Sequence, residues 1–243
     1  IKQFRKHEAK RLIAARKRAY DSIYNLWKRT ELSVTSLEQL AHADAFTSIG
    51  LNRRASLWEI RGLNVPLPPL LAASEARHGI HTLKPKAQTP LPDMTIGEEV
   101  VEDYKTLRLS LKHHPLALLR TELLPFGLTQ NDCLNRMASG QHVKIAGLVL
   151  VRQRPSTAKG VIFTTLEDET GIANIIVWPS IFERYRQILL SAKLLGVEGE
   201  LQREGIVIHV VAKHLINLNA NLKTLVTQIK TPQISQTTHQ SQP

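Results

Sequence analysis

The chain has 243 residues, with 32 Lys and Arg against 21 Asp and Glu, a formal net charge of +11 that points to a polyanionic partner. Its one cysteine, Cys133, excludes an internal disulfide and a Cys-based zinc cluster, and suits a reducing compartment. No apolar run approaches the ~20 residues of a membrane span, and no signal-type stretch follows the basic N-terminus, so a cytoplasmic protein without a membrane partner is expected.

The charge is concentrated at one end. The first thirty residues hold ten Lys and Arg against Glu8 and Asp21, which accounts for +8 of the +11. Residues 1–62 read as short helices with no strand signal. "HEAKRLIAARKRAY" puts Ala9, Leu12, Ile13 and Arg16 at helical spacing. "SLEQLAHADAF" opens with a capping-box pattern, Ser36 with Gln39. Gly50 breaks the helix in "TSIGLN", and Asn52 is placed to cap "RRASLWEIRGL". Helices joined by such a turn present backbone N–H groups to a phosphate. Ser48, Gly50, Arg53 and Arg54 are therefore candidates, as are Lys2, Arg5 and Lys6 in a similar setting without a glycine. For Arg53 and Arg54 a solvated helix face is an equal alternative.

Six prolines between 66 and 92 mark residues 63–96 as a connector, with one short helix allowed in "LLAASEARHG". Helical spacing resumes over 97–140, through Val100, Tyr104, Leu107 and Leu111, and breaks near His114-Pro115. A further short helix is expected in "TQNDCLNRMASG", with Thr129 and Asp132 as caps.

From Gln141 the period changes to two, with Val143, Ile145, Gly147, Val149 and Val151 on one face. "GVIFTTLE" and "GIANIIVW" follow as strands two and three around an acidic turn, Glu167 to Glu169. "PSIFERYRQILL" is an amphipathic helix with Ser180 and Glu183 at capping-box spacing. Strands four and five flank an "REG" turn. The order β-β-β-α-β-β over 141–216 is that of the OB fold, a small barrel that binds oligonucleotides with its strand 2–3 face and loops. The expected fold class is α+β, a helix-hairpin-helix helical region followed by a five-stranded OB-fold barrel. A polar tail over 217–243 is expected to be disordered at its end.

On the barrel, Phe163 and Thr165 from strand two and Asn174, Ile176 and Trp178 from strand three are the face candidates. Exposed aromatics there would stack bases; the alternative is that Phe163 and Trp178 close the core. Arg152, Arg154 and Lys159 form a basic loop between strands one and two. The barrel itself carries nine Lys and Arg against seven Asp and Glu, so its own pull on nucleic acid is weak. No catalytic or metal-binding pattern is found. The histidines lack metal-ligand spacing, and Glu98, Glu99, Glu102 and Asp103 sit where acids favour a helix dipole.

"ADAFTSIGLNRRASLWEIRGL", "LPDMTIGEEVVEDYKTLRLSLKHHPLALLR" and "GLVLVRQRPSTAKGVIFTTLEDETGIANIIVWPSIFERYR" together resemble the C-terminal part of bacterial error-prone DNA polymerases, C-family enzymes related to the DNA polymerase III alpha subunit. The resemblance implies a helix-hairpin-helix region, an OB domain, and a parent function of DNA synthesis in damage-induced repair with tolerance of lesions. It also implies that the palm carboxylates and their Mg lie upstream, so no cofactor and no polymerisation are expected of this chain alone. The partners implied are single-stranded DNA and primer-template duplex. Lys2-Gln3-Phe4 departs from the family's Lys-Gly-Leu turn. The family's basic-aromatic ending is absent, and the chain opens on Ile1, which fits a fragment. A sliding clamp or other translesion-repair protein is a further partner, through "QTPLPDM" with Gln88, Leu91 and Met94. A stand-alone nucleic-acid module, for RNA among others, and a repair-complex adaptor are the alternatives.

Overall fold

The computed structural model describes residues 1–63, 91–205 and 207–227. The short helix expected in "LLAASEARHG", Gln88 and the polar run at the end lie outside them. Contacts divide the chain into two units, Ile1–Lys112 and His113–Pro243. The division falls inside the 97–140 stretch read from sequence as a linker.

The first unit is helical: α1 Lys6–Ala14, α2 Ile23–Thr30, α3 Val34–His42, α4 Arg53–Gly62 and α5 Ile96–Thr106. Ser22 caps α2 by accepting from the Asn25 N–H, and Ser33 caps α3 by accepting from the Ser36 N–H. Ser36 is thus the third residue of α3, not its cap. Asn52 does cap α4, accepting from the Ala55 N–H at 2.8 Å. The core gathers Ile23, Leu26, Leu32, Leu37, Leu40, Ala41, Phe46 and Ile60. Residues 15–22, expected to continue the first helix, instead form an irregular link. α5 has a full capping box between Thr95 and Glu98 and ends at Thr106, so Leu111, expected on its face, lies outside it and is almost fully exposed.

The second unit holds α6 Pro115–Leu123, β1 His142–Gln153, β2 Ile162–Asp168, β3 Gly171–Val177, α7 Pro179–Ser191, β4 Leu194–Glu204, β5 Val207–Asn217 and α8 Asn219–Thr227. The strands close into a barrel in the order β1-β2-β3-β5-β4, with β3 and β5 parallel and the other pairs antiparallel. This is the α+β arrangement expected, with the OB strand order. Residues 131–136, expected as a short helix, form a 3-10 segment with no side-chain cap. α7 begins at Pro179, so Ser180 is not its cap, and Phe182 and Leu189 from α7 enter the barrel core. α8 runs to Thr227, past Leu222, and buries Leu225.

A bulge between Val149 and Val151 inserts one residue into β1 opposite β2. It reverses the strand's faces. Val143, Ile145 and Val149 point into the core, whereas Val151, expected on that same face, is turned outward. A second irregularity, between Glu198 and Gly199, bends β4 against β5. A Cβ at Gly199 would lie 2.2 Å from the Val211 carbonyl oxygen, a backbone atom that cannot swing aside. Gly199→Ala is therefore expected to lower stability by about 1–3 kcal/mol in denaturant unfolding, whereas an alanine at Gly62, with open space around it, leaves stability within about 1 kcal/mol of wild type.

Candidate nucleic-acid interface

In the first unit two turns have the same build. Before α4, Gly50 adopts φ +78° and Leu51 packs toward the core. Before α1, Gln3 adopts φ +66° and Phe4 packs toward the core. A glutamine thus occupies the left-handed position that favours glycine, at a backbone cost of ~1–2 kcal/mol. The turn is anchored elsewhere. The Lys2 N–H donates to the Thr106 carbonyl at 3.0 Å, and the Arg5 N–H to the Glu8 carboxylate at 3.4 Å. Glu8 is buried and accepts from the Ser36 hydroxyl; that bond outweighs burial and holds its carboxyl below the usual range.

Lys2, Arg5 and Lys6 are exposed and form no ion pair among the described residues. Ser48 and Gly50 are exposed at the second turn. Arg53 and Arg54 are placed differently from the expectation. Arg53 is buried, with Asp103 at 2.6 Å and the Glu99 carbonyl at 3.3 Å. Arg54 pairs with Glu98 at 3.1 Å and donates to the Pro92 carbonyl at 2.5 Å. Both guanidiniums join α4 to the segment that carries α5. Arg53 is spent inside the unit, whereas Arg54, paired with Glu98, keeps about a third of its side chain exposed, 34%.

In the barrel the β2–β3 hairpin turns its odd residues of β2 and its even residues of β3 outward. Phe163 is 37% exposed and Trp178, just after β3, is 52% exposed. Neither closes the core; Leu166, Ile175 and Val177 do that. Ile172 and Asn174 are exposed and Ile176 half-buried on the same face. Of the basic loop, Arg152 donates to the Ala192 carbonyl just past α7, and Arg154 lies 5.5 Å from the Phe182 ring centroid. Lys159 is exposed at a left-handed turn, φ +47°.

Two of the three acids of the turn, Asp168 and Glu169, are held by Arg120. Asp168 is buried, and its carboxylate accepts five hydrogen bonds, from Arg120, the Asn131 N–H, the Thr170 N–H and hydroxyl, and the Gly171 N–H, at 2.7–3.0 Å. Arg120 also grips Glu169 at 2.6 and 3.1 Å. Burial opposes the Glu169 charge, yet Arg120 holds that carboxyl below its usual range. Arg120 thus offsets one unit of the negative charge of Asp168 and Glu169, while Glu167, half-buried on the outward side of β2, has no ion pair among the described residues. Arg120 lies 48 residues from Asp168, and nothing in its local sequence marks it.

His114 caps α6, accepting at Nδ1 from the Leu116 N–H at 3.2 Å, and its Nε2 is buried without a partner. Burial lowers its pKa from 6.5, against the pull of Glu167, Glu169 and Asp168.

A helix-hairpin-helix motif model matches residues 1–56, and a model of the OB-fold nucleic acid binding domain matches residues 143–218. Error-prone DNA polymerase 1 of Rhizobium meliloti (strain 1021) is 45% identical over 229 residues, taking in 93% of this chain and 20% of that protein. Its relatives are error-prone DNA polymerases. That of Ruegeria pomeroyi is also 45% identical, over 226 residues, with 93% and 20% covered. The chain spans about a fifth of the length of these curated relatives. Among solved structures, asparaginyl-tRNA synthetase from Pyrococcus horikoshii matches 37% of this chain and 22% of its own, with 21% identity and a TM-score of 0.31. Among the described residues no group of three or more His, Cys, Asp or Glu converges to hold a metal ion. No helix among them is long and apolar enough to cross a membrane.

Because the folded state resists protonation of His114, the unfolded chain takes up that proton first as pH falls. Its contribution is intact above about pH 6.5 and is lost on acidification below it. His114→Asn keeps a capping side chain that does not titrate. The stability difference between wild type and His114→Asn, from urea unfolding at pH 7.5 and pH 5.0, is expected to shift against wild type at the lower pH.

Proposed function

We propose that this chain is the DNA-binding part of an error-prone, translesion DNA polymerase that acts in replication and damage-induced repair in the bacterial cytoplasm. The observation that carries this reading is the state of the barrel's β2–β3 face. It shows aromatic and apolar side chains outward, while Asp168 and Glu169 of its turn share the guanidinium of Arg120. A base stacked on an exposed aromatic gains ~1–3 kcal/mol, and Arg120 lessens the turn's repulsion of the strand's phosphates. Phe163 and Trp178 supply the stacking surfaces, and Lys159 and Arg154 supply cations on the adjacent loop. Lys2, Arg5 and Lys6, with the turn at Ser48 and Gly50, hold the backbone of duplex. Arg53 and Arg54 serve this indirectly, by fixing α4. Nucleotide transfer belongs in this reading to regions outside the chain. A sliding clamp or another repair protein remains a further partner, although Leu91 and Met94 are half-buried in their own unit.

Two kinds of contact give two signatures. Simultaneous alanine substitution of Lys2, Arg5 and Lys6 is expected to weaken duplex binding and to reduce the slope of log K against log salt by about 2–3, since each phosphate contact contributes ~0.9. Phe163→Ala is expected to weaken single-strand binding by about 1–3 kcal/mol with the slope unchanged. Fluorescence anisotropy across a salt series reads both. An absence of binding at low salt, or a triple variant with the wild-type slope, would overturn the reading. A preference for single-stranded RNA would favour a stand-alone module instead.

A further inference from the structure

The strand register places a polar row in the middle of the apolar face. Val151 pairs with Thr165, Thr165 with Asn174, and Asn174 with His209 of β5. The neighbouring row runs Gln153, Phe163, Ile176 and Val211. Side chains paired across strands share a face, so His209 joins the β2–β3 surface although it lies far along the chain. Within the polar row the Thr165 hydroxyl donates to Asn174 Oδ1 at 3.4 Å. That bond orients the amide and leaves its two N–H donors without a partner among the described residues. Nδ1 of His209 is buried and likewise has no partner there. A buried polar atom left unsatisfied is costly, and turning the His209 ring outward would relieve that cost beside the exposed amide.

We infer that Asn174 and His209 read the hydrogen-bonding edge of a base stacked on Phe163, so that the barrel selects among single-stranded sequences. This rests on the DNA-binding reading above and adds base preference to it. Stacking itself is tolerant of sequence, because every base has a face to offer. Hydrogen bonds to an edge are not, because the four bases arrange donors and acceptors differently. Asn174 and His209 are paired across the strands, so the amide donors and an imidazole nitrogen that the ring's rotation brings to the surface lie side by side. They meet an edge, while Phe163, diagonal to Asn174, meets the ring face. Thr165 is the positioning residue, acting through Asn174.

The test uses the full chain and fluorescein-labelled 15-nucleotide dT, dC and dA strands, with anisotropy at one fixed salt concentration. Wild type is expected to bind the best strand at least about fivefold more tightly than the worst. Asn174→Ala and His209→Ala are each expected to shrink that ratio by about threefold or more, with the salt slope unchanged. Thr165→Val is expected to shrink it less. Phe163→Ala is expected to weaken all three strands together. Circular dichroism melting checks that each variant is folded, and a variant that has lost its fold is replaced by the isosteric Asn174→Asp or by His209→Gln. Equal binding of the three strands by wild type, or an unchanged ratio in both folded variants, would overturn the inference while leaving the DNA-binding reading standing. Failure of wild type to bind any strand at low salt would overturn both.

Discussion

The carboxylate of Asp168 organises the second unit. Five donors converge on it, three from the hairpin itself, the Thr170 N–H and hydroxyl and the Gly171 N–H, and two from outside it, the Arg120 guanidinium and the Asn131 N–H. A carboxylate with no exposure demands such compensation, since an unpaired buried charge costs several kcal/mol. Meeting that demand ties α6 and residues 130–132 to the end of the β2–β3 hairpin. The Asp132 N–H donates to the Thr170 hydroxyl, and the Asn131 amide to the Gly171 carbonyl, extending the seam. Structure and electrostatics are therefore settled by one set of contacts. The bonds that fix the hairpin's turn also bury the Asp168 charge and set one cation against it and Glu169.

In the helical unit, cations are sorted by the same rule. A buried guanidinium must find a carboxylate, and Arg53 has Asp103, while Arg54 takes Glu98. Lys112 bridges Asp44 and Glu99, and they keep its charge in place against burial. The acids of the 93–103 region are largely consumed in these pairs. What remains toward solvent is the excess of Lys and Arg near the N-terminus. An electrostatic attraction for a polyanion thus arises from residues left over after the fold has used the others, and counting charges along the sequence does not reveal which those are.

The fold was legible where local chemistry is decisive. Alternation in β1, the apolar run of β3, the Gly50 break and the Asn52 cap all point to the elements found, because each depends on neighbours a few residues away. Helix starts were misread at Ser36 and Ser180, since a second serine or a proline nearby makes the better start. The outward turn of Val151 depends on a bulge that has no mark in composition. The candidate site divided along the same line. Phe163 on β2 and Trp178 just after β3 are outward, but inward and outward readings of a strand differ by one residue, and only the closed register decides. Arg53 looked like its exposed neighbours in sequence because its partner, Asp103, is fifty residues away. Arg120 and His209 were invisible for the same reason.

The claim at the centre is that single-stranded DNA lies on the outward β2–β3 face, over a turn whose charge Arg120 partly offsets. Photocrosslinking tests it most directly. A single strand carrying 5-iododeoxyuridine is bound to the full chain, irradiated, and the adduct mapped by peptide mass spectrometry. Adducts on Phe163 or Trp178 are expected, and their yield should fall in Arg120→Ala, where the Asp168 and Glu169 charges lose their partner. Efficient crosslinking confined to aromatic residues of the helical unit, such as Trp27 or Trp58, with none on the barrel, would contradict it.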